Sequence, residues 1–106
     1  MTVEWLVPDG QARSVTMALQ AFSSDTRTMR GCTGCSVATS SAHGVTVRYT
    51  EDWQSEEPLR DHVRSDLFGK LISLIEGSLR PPRIEFDLPG GKRGLDYIAE
   101  ARHAAE

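Results

Sequence analysis

The period of the apolar residues changes several times along the chain, and each change predicts an element. Thr2 to Val7 is short and rich in β-forming residues, and Pro8-Asp9-Gly10 stops it as a turn. From Gln11 the spacing becomes helical: Ala12, Val15, Leu19, Phe22 and Met29 fall near one face, with polar residues between them. This predicts a long amphipathic helix that ends before Gly31. Cys35 to Ser40 then alternates as a strand, Ser41-Ala42-His43-Gly44 makes a hairpin loop, and Val45 to Trp53 is the return strand.

Ser55 is placed to cap a second helix, with Glu56 and Glu57 favourable in its first turn. Pro58 is tolerated there because first-turn amides lack helical partners. Leu59, His62 and Val63 mark the inward face. Ser65-Asp66 reads as a second cap or a bend, after which Leu67, Phe68, Leu71, Ile72 and Ile75 continue an apolar stripe to Gly77. Pro81-Pro82 forces an extended entry into a last strand, where Ile84, Phe86 and Leu88 alternate with Glu85 and Asp87. Pro89 to Gly94 reads as a flexible connector, and Leu95 to Arg102 as a short terminal helix docking through Leu95 and Ile98.

The order is β-α-β-β-α-β with a tail, which predicts an α+β, ferredoxin-like fold built on a four-stranded antiparallel sheet. Its 106 residues suit a single domain, with a core over residues 1–89 and a linker and helical tail over 90–106. Helices in this topology cover one sheet face, and a homodimer is the simplest way to cover the other. The open-face positions Ser36, Ala38, Thr46, Arg48, Thr50, Glu85 and Asp87 are not strongly apolar, so the strands alone lend that pairing modest support.

Charge and composition remove several classes. A net charge of −3 leaves no electrostatic footprint for nucleic acid. No apolar run approaches the roughly 18 residues of a membrane span. MTVEWLVPDG has neither the basic nor the apolar region of a secretory signal, so the expected location is the cytoplasm. Cys32 and Cys35 form a C-x-x-C pair, but they lead into a strand rather than a helix N-terminus, where a dipole would lower the thiol pKa. No second Cys pair or H-x-x-x-H completes a four-ligand zinc site, so the plainer reading is two small residues at a tight turn. The serines have no G-x-S-x-G setting and the glycines form no phosphate-binding loop.

Two residues break the pattern. Alternation puts Val45, Val47, Tyr49, Glu51 and Trp53 on one strand face, so Glu51 is a carboxylate in an apolar and aromatic row. His62 is a similar exception between Leu59 and Val63 on the facing helix. An acid and an imidazole pointing into the same space can form a hydrogen-bonded acid–base pair. The plainer alternative is structural: His62 satisfied by a backbone carbonyl, and Glu51 by backbone amides or an arginine such as Arg83. Tyr49, Trp53 and Phe68 are most simply core, and secondarily a stacking surface for a flat ligand. His43 in the hairpin loop and His103 in the tail do not look like site residues.

Arg30-Gly31-Cys32-Thr33-Gly34-Cys35, then Glu51-Asp52-Trp53, then Leu59-x-x-His62, Ser65 and Phe68, together resemble the antibiotic biosynthesis monooxygenase domain. Gly94 to Arg102 looks like the C-terminal signature of its quinol monooxygenase-type members. The resemblance covers nearly the whole chain and rests on the order and spacing of these motifs. It implies a dimeric α+β barrel made by two sheets, with a pocket between sheet and helices in each subunit. It also implies oxidation of a small phenolic or quinol-type aromatic by O2 without flavin, haem or metal. Haem-degrading members carry an asparagine in the first strand and a histidine on the later helix; Thr2 to Val7 has no asparagine and Gly69 to Leu74 no histidine, which disfavours that branch.

On this reading His62 is the base that takes a phenolic proton, and Glu51 orients it or hydrogen-bonds the substrate hydroxyl. Tyr49, Trp53, Phe68 and Ile72 line the pocket, with no cofactor and no metal. The alternatives on the same fold are a small-molecule-binding domain without chemistry and an isomerase of a small carbonyl compound.

Overall fold

The alternating stretch at the start of the chain becomes β1 (Thr2–Val7), which buries Val3, Trp5 and Val7 on one side. The computed structural model describes residues 1–103 other than Asp9, Ala42, His43 and Leu79, so the loop position expected for His43 lies outside the described residues. The helical spacing becomes α1 (Ala12–Arg27), which buries Leu19 and Phe22 and stops just before Met29. β2 (Cys32–Ser40) and β3 (Val45–Trp53) follow as a hairpin, then α2 (Glu56–Val63) and α3 (Asp66–Ile75). β4 (Arg83–Leu88), β5 (Gly91–Arg93) and α4 (Asp96–His103) complete the chain.

The strands form one sheet in the order β2-β3-β1-β4-β5, and every pairing is antiparallel. Its first four strands have the ferredoxin-like order that the element pattern predicts. The fifth differs from the expected connector. Pro89-Gly90 turns the chain tightly, so that Leu88 pairs with Gly91 and Phe86 with Arg93. Lys92 then reaches Glu85 at 2.9 Å. β2 also starts three residues early, at Cys32, because a register shift between Cys32 and Gly34 keeps the strand paired through an irregularity.

Register fixes which residues share a face. Val3 lies opposite Tyr49 and Trp5 opposite Val47, and this face packs on the helices through Leu19, Phe22, Leu59, Val63, Phe68 and Leu71, all buried. Each such large side chain contributes roughly 1.5–3 kcal/mol by leaving water. The other face pairs Glu4 with Arg48 and Leu6 with Thr46, and its residues are half-buried or exposed. Among the described residues, no helix is long and apolar enough to cross a membrane.

Two joints hold α2 in place. Ser65 caps α3, its hydroxyl accepting from the Phe68 amide at 3.2 Å, and it donates to the His62 carbonyl at 2.6 Å. Such a cap is worth about 1 kcal/mol. Ser55 occupies the corresponding position before α2 but makes no side-chain cap bond. The second joint is α4, where Arg102 donates to the carbonyls of Val63 at 2.7 Å and Ser65 at 3.2 Å. Leu95 does not dock α4: it lies before the helix begins and is 62% exposed. Tyr97, Ile98 and Ala101 form the buried stripe instead.

Candidate active site

Strand alternation carries Glu51 inward with Val47 and Tyr49, and its side chain is fully buried. Three donors meet the carboxylate. The Tyr49 hydroxyl donates to Oε2 at 2.7 Å, Trp53 Nε1 donates to Oε1 at 3.0 Å, and His62 Nε2 lies 2.9 Å from Oε2. Tyr49 and Trp53 flank Glu51 on the same strand face, so the row that made the acid look misplaced also solvates it. Arg83 is not among these partners.

His62 comes from the inward face of α2 and is likewise fully buried. With the carboxylate accepting, Nε2 carries the hydrogen, and Nδ1 faces the Met29 sulfur at 3.1 Å. Aromatic rings close around the imidazole. Trp53 lies 4.8 Å away between centroids and tilted, Phe68 stands edge-on at 5.3 Å, and Phe22 is 5.7 Å away. Phe22 also packs edge-on against Tyr49 at 5.5 Å.

A cavity of about 440 Å³ opens where the ends of β3 and β4 meet the start of α2. Glu51, Trp53, Leu59 and Leu88 are in its wall. Asp52, Glu56 and Asp87 surround the same space, which makes its lining acidic. Tyr49, His62, Phe68 and Ile72 are not in that wall. The first three lie behind it in the buried cluster, and Ile72 is half-buried on α3. His62 touches Glu51, a lining residue, but does not itself line the cavity.

The cluster extends to the thiols of β2. Cys35 lies opposite Glu51 in the sheet, and the Tyr49 hydroxyl is 3.7 Å from its sulfur. Burial, followed by the charge of Glu51, raises the Tyr49 phenol far above its ordinary value. Burial likewise pushes the Cys35 thiol up to about 11, and burial with the Glu56 hydrogen bond pushes the Tyr97 phenol up to about 12. All three shifts have one sign. The folded chain keeps protons that the unfolded chain releases from about pH 8.5 for cysteine and about pH 10 for tyrosine, so stability is full below that range and falls above it. Denaturation midpoints should decline steadily above about pH 10, and Tyr49→Phe should flatten the decline.

Spacing brought Glu51, His62, Tyr49, Trp53 and Phe68 into view, and the structure gathers these five. Two partners of His62 escaped notice. Phe22 belongs to an ordinary apolar stripe, and Met29 lies past the end of α1; the seven-residue spacing between them was the available signal. Leu59, read as core, is a cavity wall. Among the described residues, no group of three His, Cys, Asp or Glu side chains is placed to hold a metal.

A ferredoxin-like antiparallel sheet with helices on one face and a polar cluster buried between them defines an α+β class that hosts many small-molecule sites. Within that class, the chain belongs to the antibiotic biosynthesis monooxygenase family, whose sequence pattern matches residues 1–73. Three solved structures share the fold. A Nitrosomonas europaea protein provisionally named an antibiotic biosynthesis monooxygenase is 12% identical, with a TM-score of 0.63, covering 76% of this chain and 86% of its own. Rv0793 from Mycobacterium tuberculosis is 21% identical with a TM-score of 0.63, covering 76% and 83%. A conserved protein from Methanosarcina mazei Go1 is 20% identical with a TM-score of 0.62, covering 74% and 77%. At these identities the likeness is one of fold. No curated protein matches the chain.

Proposed function

We propose that the chain is a monooxygenase that oxidises a small phenolic or quinol-type aromatic with O2, without a cofactor, in the cavity beside Glu51. The observation that carries this reading is the buried Glu51–His62 contact at 2.9 Å with Glu51 in a cavity wall. The reaction needs a proton acceptor, because a phenolate gives up an electron to O2 far more readily than a phenol. Glu51, which lines the cavity, takes the proton of the substrate hydroxyl, and His62, donating through Nε2, holds the carboxylate from behind. The ring supplies all the electrons: a hydroquinone and O2 become a hydroxyquinone and water, with one oxygen atom entering the ring. Trp53, Leu59 and Leu88 give the reacting ring an apolar surface to pack on. The acidic lining from Asp52, Glu56 and Asp87 favours uncharged hydroquinones over aromatic carboxylates. The proposal includes a homodimer, with a second copy over the open sheet face, as the resemblance implies.

Complete burial of His62 favours the second reading, a binding domain without chemistry. Glu51→Gln separates the two, because its amide oxygen can still accept from His62 but cannot take up a proton. With folding checked by thermal melting, oxygen uptake on a panel of hydroquinones should fall about 100-fold or more in kcat/KM. No uptake by the native protein, or unchanged uptake by the variant, contradicts the oxygenase reading.

A further inference from the structure

We propose that Cys32 and Cys35 form a dithiol that closes into an intramolecular disulfide under peroxide, a modification site independent of the oxygenase reading. Their sulfurs are 3.6 Å apart and both residues are half-buried free thiols. In a regular strand, residues three apart point to opposite faces, because the side-chain period is two. The register shift between Cys32 and Gly34 changes that parity. Cys32 pairs with Trp53 and Cys35 with Glu51, so both thiols stand on the helix-facing side. The bulge therefore supplies a juxtaposition that spacing alone does not give. The sulfurs need to approach by only about 1.5 Å to reach bonding distance.

Cys32 attacks first, because burial holds the Cys35 thiol up at about 11 and leaves it little thiolate near neutrality. Its sulfur takes one oxygen of hydrogen peroxide, the O–O bond breaks, and a sulfenic acid and one water result. Cys35 sulfur then attacks the sulfenic sulfur and expels hydroxide, which leaves as a second water. Two thiols lose two hydrogens and two electrons, and one peroxide becomes two waters. The bond clips the bulge beside Trp53 and Glu51.

The test treats reduced, folded protein with hydrogen peroxide and follows thiol titration and intact mass. The native chain should lose both thiols together and two hydrogens in mass, without covalent dimers, and dithiothreitol should reverse the change. Cys35→Ser should stop at a sulfenic acid on Cys32 that dimedone captures. Cys32→Ser should lose its remaining thiol about ten-fold or more slowly than the native pair. Native protein that keeps its thiols, gains oxygen atoms instead, or cross-links between chains overturns the proposal, and does so even if neither variant folds.

Discussion

Glu51→Ala should destabilise the fold by about 3–5 kcal/mol, because it removes the acceptor from three buried donors at once. The Tyr49 hydroxyl, Trp53 Nε1 and His62 Nε2 converge on this one carboxylate, and all three atoms belong to buried or half-buried side chains. Domains of this size have only about 5–15 kcal/mol in total, so the melting temperature should drop by more than about 10 °C. Glu51→Gln should cost less, about 1–3 kcal/mol. Its amide oxygen can serve Tyr49 and His62 on the Oε2 side, but its NH2 then faces the Trp53 N–H, donor against donor. Urea denaturation of the three proteins measures the order: native above glutamine above alanine. An alanine variant within about 0.5 kcal/mol of native would show that water replaces the carboxylate freely.

Gly31→Ala should have the other large effect. Gly31 sits at φ +86°, and a Cβ there would lie 2.5 Å from both Cβ and Cγ of Pro58. The left-handed backbone costs an alanine about 1–2 kcal/mol, and forcing a methyl group against a buried, rigid ring adds about 1–3 kcal/mol. The Gly31 carbonyl also accepts from the Gln54 amide at 2.7 Å, which ties the start of β2 to the entry of α2. Displacing that entry moves His62 away from Glu51, so stability and any activity should fall together. Gly90→Ala is the control: its Cβ meets nothing within 4 Å, and its denaturation midpoint should stay near native.

The pairing of Glu51 with His62 shows what a sequence can and cannot carry here. Period two put Glu51 on the inner face, and helical spacing put His62 on the facing helix. Their 2.9 Å contact depends on how α2 crosses the sheet, which Ser65 beside its end, Arg102 from the distant α4, and the close approach of Pro58 to Gly31 help to fix. β5 was illegible because Gly91-Lys92-Arg93 contains no β-forming residue; pairing with β4 imposes the strand. Leu95 misled because an apolar side chain at a helix start looks like a docking residue, while Tyr97, held by Glu56 at 2.9 Å and flanked by Arg60 and Arg93, does that work. The bulge at Cys32–Gly34 has only a glycine to announce it. The cavity joins the β3–α2 junction to the distant end of β4, so no local pattern marks the whole of it. It also separates the candidate pair, since Glu51 is among its lining residues and His62 is not.

Isotopically labelled dioxygen reads out whether the protein inserts oxygen into the aromatic ring. Purified protein is incubated with a hydroquinone that it turns over, and label is measured in the organic product and in water. An oxygenase should leave one labelled oxygen atom in each hydroxyquinone and the other in water, with no product under anaerobic conditions. Unlabelled quinone with all the consumed oxygen recovered as peroxide, or product formed without oxygen, would contradict the oxygenase reading.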